Sequence, residues 1–206
     1  MYAKSYTFFF KCVIMEEKER MMEENFDVLT PLGEFTGEIA SRDECHTQGL
    51  WHRAVFAFII NTKGEILLQQ RSLNKKLWPN KWDVTVGGHV ESGEFGRQAL
   101  VRECKEELGI DVNDSDIRFL VSSTSVYNKE GYINNHYDEC YLIFKDIELS
   151  ELNLQEKEVA DVRYFSKNEI IWRINNNYEG LTEKTVSWNI CKKILESSYL
   201  NSIKLQ

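Results

Sequence analysis

The sequence predicts an α/β fold, a mixed β-sheet sandwiched between α-helices, on three observations. A β-branched and aromatic run, Ala54 to Ile60, is joined through the turn Thr62-Lys63-Gly64 to a second run, Glu65 to Gln70. A glycine loop at Gly87 and Gly88 feeds a stretch of helical periodicity from about Phe95 to Leu108. Strand runs then alternate with helix-start signatures toward the C-terminal end, and strands interrupted by helices on this scale form an α/β sandwich.

Taken in order, residues 1–25 are an appended extension: an aromatic stretch followed by Met15-Glu-Glu-Lys-Glu-Arg-Met-Met-Glu-Glu, poorly ordered or helical, with methionines that offer alternative starts. Residues 26–206 are expected to form one folded domain. It opens with a small hairpin, Phe26 to Leu29 and a stretch reaching Ile39, turning at Pro31-Leu-Gly. The hairpin of Ala54 to Ile60 and Glu65 to Gln70 follows, and Trp82 to Val86 is a short strand leading into the glycine loop. After the helix, strands are expected near Arg118 to Val126, Tyr137 to Phe144 and Val162 to Phe165. Ser166-x-x-Glu169 is a capping box that opens a helix toward Ile174, and Thr182 is expected to cap a last helix reaching about Glu196.

Composition narrows the class. A hydrophobic fraction of 42% suits a globular domain with a substantial core. A net charge of −8 argues against duplex nucleic acid as a partner, because that binding needs a basic surface to replace counterions. Five cysteines, an odd number without a Cys-x-x-Cys pair, suggest neither a disulfide framework nor a zinc site and fit a reducing, cytoplasmic setting. The apolar run Tyr6 to Ile14 is too short for a membrane span, which takes about 20 residues.

The chemistry concentrates on the helix. At about 100° per residue, Glu103, Glu106 and Glu107 share one arc, while Val101, Cys104 and Leu108 lie beside Leu100 on an apolar face for the core. Like charges at this spacing repel, so the cluster calls for a cation, and hard oxygen ligands favour Mg²⁺ or Mn²⁺.

The positions Gly88, Glu94, Arg102, Glu103, Glu106, Glu107, Gly109 and Ile110 stand at the offsets of the Nudix box, Gly-x5-Glu-x7-Arg-Glu-U-x-Glu-Glu-x-Gly-U with U aliphatic, and Cys104 fills an aliphatic place. The chain therefore resembles the Nudix hydrolases. That resemblance implies that Glu103, Glu106 and Glu107, with the Gly88 carbonyl, hold a divalent metal, and that one carboxylate, Glu103 or Glu106, also activates water. It makes Arg102 the residue that orients these catalytic groups and Glu94 the residue that holds the loop-helix junction, with Gly87, Gly93 and Gly109 permitting the backbone path. The implied reaction is attack of water on one phosphorus of a small-molecule diphosphate, by a monomer or homodimer.

The segments Glu44-Cys-His-Thr-Gln-Gly-Leu-Trp-His-Arg-Ala-Val, Leu67-Leu-Gln-Gln-Arg-Ser, Trp78-Pro-Asn-Lys-Trp-Asp and Gly87-Gly-His89 are similar to the branch containing isopentenyl-diphosphate isomerase. In those isomerases a cysteine acts where this chain has Gly87, and histidines matching His46, His52 and His89 help bind a metal, with carboxylates on a later strand where His136, Asp138 and Glu139 stand here. Glycine supplies no acid or base, so hydrolysis is the expected chemistry. His52 is expected to bond a loop rather than join His46 in a second metal site, and His89 to reach phosphate or metal. Arg71 and Trp82 are further expected substrate contacts, with Trp51, Trp78, Tyr127, Lys75, Lys76 and Lys81 as aromatic and basic candidates beside them. Asp138, Glu139, Glu156 and Glu158 are candidates for an additional base.

Overall fold

The computed structural model describes residues 24–197. The extension expected over residues 1–25 falls almost wholly outside the described residues. The hairpin β1 (Asn25–Leu29) and β2 (Phe35–Ser41) leads into α1 (Arg42–Gln48). Then come β3 (His52–Ile60), β4 (Ile66–Arg71), β5 (Trp82–Asp83), β6 (Val86–His89), α2 (Gly96–Leu108), β7 (Ile117–Lys129), β8 (Tyr132–Phe144), β9 (Val159–Phe165), α3 (Lys167–Asn175) and α4 (Thr185–Glu196).

The seven-stranded sheet is mixed and centred on β3. β8 runs parallel along one edge of β3, and β6 and then β4 pair antiparallel along the other. β4 in turn carries β9 on its far edge. Every residue from Ala54 to Ile60 is buried, because the strand is covered on both faces. Val55, Ala57 and Ile59 pack with Ala99, Leu100, Cys104 and Leu108 of α2, whereas Phe56, Phe58 and Ile60 pack with Ile170 of α3 and Trp188, Cys191 and Ile194 of α4. Alternation along one strand thus divides the core into two layers, the expected sandwich.

One element is unanticipated and three local expectations are corrected. The segment Arg42–Gln48 is a helix, closed at its start by Ser41, whose Oγ accepts from the Glu44 amide while Glu44 accepts from the Ser41 amide. Trp82 to Val86 is two strands: Thr85 intervenes, its Oγ accepting from the Ile59 amide (2.9 Å) and donating to the Leu67 carbonyl, so the chain passes from the edge of β4 to that of β3. The last helix starts at Thr185 rather than behind Thr182, whose hydroxyl and carbonyl serve Asp83 and the Trp188 indole instead. On α2, Val101 is exposed and Ala99 takes its place in the core. Val101 lies about 100° from Leu100, just off the apolar stripe.

Candidate active site

Helical geometry explains how the glutamates come to be both buried and polar. On α2, Glu107 lies about 20° and Glu103 about 60° from Leu100, toward Ala99, which places both inside the core-facing half of the helix. Glu107 is 6% exposed and Glu103 nearly as buried, while Glu106, turned further round, is half-exposed. Of the three glutamates that share the arc, only Glu106 thus reaches the surface. Glu107 is held by the Gln69 side-chain amide (3.2 Å) and the Gly87 amide (3.3 Å), each donating to its Oε2.

Against this row runs β6. A Cβ at Gly88 would overlap the Glu103 carboxylate, so only glycine lets the backbone reach it. Arg102 ties the ends together. It donates to both oxygens of Glu94 (3.1 and 3.0 Å), to Glu103 (2.9 Å), to Glu106 (3.1 Å) and to the His89 carbonyl (2.9 Å). Gly93, in the left-handed region with φ of 79°, gives its amide to Asp27 of β1, and Ser92 adds its hydroxyl (2.7 Å) to the same carboxylate. Gly109, also left-handed at 73°, ends α2.

Burial raises the Glu103 carboxyl to about 7, against the pull of Arg102 and with the Glu106 charge adding to the rise. Burial likewise raises Glu107 to about 8, aided by the Glu103 charge and opposed by the Gly87 amide. Two buried, mutually repelling carboxylates facing a backbone that leaves no room for a side chain form an oxygen donor set suited to a hard divalent cation, whose charge would keep both ionised.

These groups line a cavity of about 1220 Å³. Lys75 pairs with Glu158 on its wall, and Lys76 and Arg71 also line it. Arg71 is tied to Asp83 (3.1 Å) and to the Leu77 carbonyl (3.1 Å). Trp78 and Tyr127 form an aromatic corner, ring centroids 5.3 Å apart. Trp82 does not line this cavity; it packs edge-on against Phe165 on β9 with Arg163 above it. Trp51 rests against Tyr137 and Lys81 bonds the Glu179 carbonyl, both away from it. Of the extra carboxylates, Asp138 and Glu158 line the cavity, and Glu139 faces Gly96 and Tyr141 instead.

A second cluster adjoins the first. Register pairs His52 with His136 across β3 and β8, and Ala54 with His89 across β3 and β6, while α1 delivers His46. One ligand nitrogen from each of the four imidazoles lies within 4.8 Å of the others. His46 Nδ1 meets the Ile133 carbonyl (3.1 Å) and His52 Nδ1 the Leu50 carbonyl (2.8 Å). A carbonyl only accepts, so both rings carry the proton on Nδ1 and turn an Nε2 lone pair inward. Among the described residues, His52 Nε2 and His136 Nε2 have no hydrogen-bond partner. Burial pushes His46 down to about 4 and holds His52 and His89 far below the usual imidazole range. His52 therefore bonds a loop carbonyl with one nitrogen, and its other nitrogen lies near those of His46, His89 and His136. Neutral imidazoles held by backbone carbonyls are an arrangement able to hold a transition-metal ion.

Comparison with known proteins agrees with this architecture. A model of the NUDIX domain matches residues 50–185. An uncharacterised Nudix hydrolase of Listeria monocytogenes is 38% identical over 147 residues, 71% of this chain and 82% of the relative. Nudix hydrolase 3 of Arabidopsis thaliana is 39% identical over 149 residues, but the match spans only 19% of the plant protein. An isopentenyl-diphosphate Delta-isomerase of Escherichia coli is 28% identical over 144 residues, 70% of this chain and 78% of that protein. A crystal structure from Deinococcus radiodurans shares the fold with a TM-score of 0.66 and 24% identity, covering 82% of this chain and 99% of that one. The chain belongs to the Nudix hydrolase family, enzymes that act on pyrophosphate bonds.

Proposed function

We propose that this protein hydrolyses a phosphoanhydride bond in a nucleoside diphosphate derivative or a related small diphosphate, with Mg²⁺ or Mn²⁺, and that residues 26–206 are the catalytic unit. The reading rests above all on the close approach of Gly88 to the Glu103 carboxylate, with Gly87 donating to the buried Glu107 beside it, at one wall of a large cavity. Glu103, Glu106, Glu107 and the Gly88 carbonyl would hold the divalent ion, which would supply charge neutralisation at the phosphoryl group and lower the pKa of the attacking water. Arg102 keeps the carboxylates aimed. Lys75 and Lys76 attract the phosphates, His89 borders them, and the Trp78–Tyr127 corner receives the organic group.

The test is ³¹P NMR with Mg²⁺ and a pooled panel of nucleoside diphosphate sugars, dinucleotides and nucleoside di- and triphosphates, run beside Glu107→Gln. New phosphate signals with wild type alone support the reading. Signals that persist at near-normal rate in Glu107→Gln sink the metal-ligand assignment.

The four-histidine cluster favours a second reading, a metal-dependent isomerase of isopentenyl diphosphate. Gly87, which offers no proton donor, weighs against it. Proton NMR of isopentenyl diphosphate with metal-loaded protein decides: migration of the double bond supports the second reading, and an unchanged spectrum removes it.

A further inference from the structure

The start of α4 opens into the same cavity, at the Trp78–Tyr127 end, through Thr185, Val186 and Ser187. Its capping is incomplete. Lys184, at the N-cap, makes no side-chain cap, and the first turn holds no acidic residue. The Thr185 amide turns back to the Glu183 carbonyl (2.8 Å), and the first regular helical bond is from the Trp188 amide to the Lys184 carbonyl. The Thr182 carbonyl, which the Val186 amide would otherwise meet, is taken by the Trp188 indole (2.9 Å). Among the described residues no acceptor bonds the Val186 or Ser187 amide. A helix of twelve residues therefore presents two open N–H groups and the positive end of its dipole to the cavity.

A side chain points to the same occupant. Ser187 is 5% exposed and lines the cavity, yet its hydroxyl has no hydrogen-bond partner among the described residues. A hydroxyl that lines the cavity without a protein partner is free to donate to a group bound there. The local charge suits an anion. Asp83 is shared by Arg71 (3.1 Å) and Lys184 (2.8 Å), which leaves one positive charge in surplus, while Glu183 is matched by Lys129 (3.1 Å). The buried carboxylate Asp138 lies further along the wall and is engaged by Ser125.

We infer that the α4 start is a second anion subsite, in which the Val186 and Ser187 amides and the Ser187 hydroxyl hold a phosphate ester at the end of the substrate remote from Glu103 and Glu107. Assigning that phosphate to the substrate rests on the hydrolase reading; the subsite itself does not. The occupant is thus a diphosphate whose organic group carries a further phosphoryl group, which places donors at both ends of the cavity and fixes the orientation of the molecule across it.

The experiment titrates inorganic phosphate into the ¹⁵N-labelled full chain in EDTA and follows the amide resonances. Saturating shifts are expected at Val186 and Ser187, weakened about tenfold in Val186→Asp, where the new carboxylate competes for the same donors. An acidic residue at that position also favours the helix, so the variant should fold. Ser187→Ala provides a second, milder variant, expected to weaken binding about threefold. Shifts confined to residues 87–89, no shift at all, or wild-type affinity in both variants overturn the inference. Because the titration needs neither metal nor turnover, its failure is separate from failure of the hydrolase reading.

Discussion

Gly88 and Glu103 meet where no side chain fits, since a Cβ on the glycine would overlap the carboxylate. Gly88→Ala must push Glu103 away from its place beside Arg102. Displacement of a positioned group by about 1 Å costs on the order of 100-fold in rate, so a loss of at least that size is expected in the hydrolysis assay. The strain should cost about 1–3 kcal/mol of stability. Gly93→Ala is the control. Nothing stands within 4 Å of its Cβ position, and only the left-handed φ of 79° opposes the change, so stability should fall by about 1 kcal/mol with activity largely kept. Equal rates in the two variants would contradict the role given to Gly88.

Arg102 has a reach that lysine lacks. Its guanidinium bonds Glu94 through two nitrogens while serving Glu103, Glu106 and the His89 carbonyl. Arg102→Lys keeps the charge but loses the fork, leaving carboxylates at Glu94 and Glu103 short of donors. Expected are a loss of about 2–4 kcal/mol in chemical denaturation and a rate lowered about 10- to 100-fold, with kcat falling more than KM rises. A rise in KM alone would mean that Arg102 touches substrate rather than the carboxylates.

Much of this site is legible in the sequence because the box residues lie on one helix and the loop before it, where spacing fixes geometry. What stayed hidden is set by long-range register. The four histidines are brought together by the pairing of His52 with His136 and of Ala54 with His89, which no local pattern reveals. The burial of Glu107 follows from its place between Ala99 and Leu100 on the helical wheel, but only once β3 and β6 cover that face. The capping box Ser41-x-x-Glu44 was present to be read and marks α1, yet a helix of seven residues carries too few apolar positions to announce its period. The open start of α4 depends on Trp188 reaching back to Thr182, a tertiary choice that removes Thr182 from the cap.

Asp83 makes the fold sensitive to acid. It is fully buried; burial alone would raise its carboxyl, but Lys184 and Arg71 outweigh that and hold it below the usual aspartate range. Because the folded value lies below the unfolded one, its stabilisation is present above the unfolded value and is lost as pH falls through the folded one. Asp83→Asn should therefore cost about 3–5 kcal/mol at pH 7, with two cations left unpaired. The gap from wild type should narrow as melting curves are taken below about pH 4. A gap that widens on acidification would mean that the Asp83 charge destabilises the fold.

Trp78 and Trp82 are only four residues apart but do different work, and substitution should separate them. Trp78 is buried at the cavity wall, edge-on to Tyr127 with the Lys129 ammonium 5.4 Å from its ring centre. Trp82 packs against Phe165 and beneath Arg163, outside the cavity, although its type and its nearness to the basic loop suggested a substrate contact. Truncating a large aromatic in packed surroundings costs about 3–5 kcal/mol, so Trp82→Ala should lower the melting temperature. At a temperature where it remains folded, its KM should stay within about twofold of wild type, because no contact with the cavity is lost. Trp78→Ala should instead raise KM about tenfold for any substrate with a ring system at that end, since a stacked or edge-on aromatic contact is worth about 0.5–1.5 kcal/mol beyond the area it buries. The two KM values, measured at one temperature with circular dichroism confirming the fold, decide the matter. A KM raised in Trp82→Ala and unchanged in Trp78→Ala would move the substrate's organic group out of the corner assigned to it.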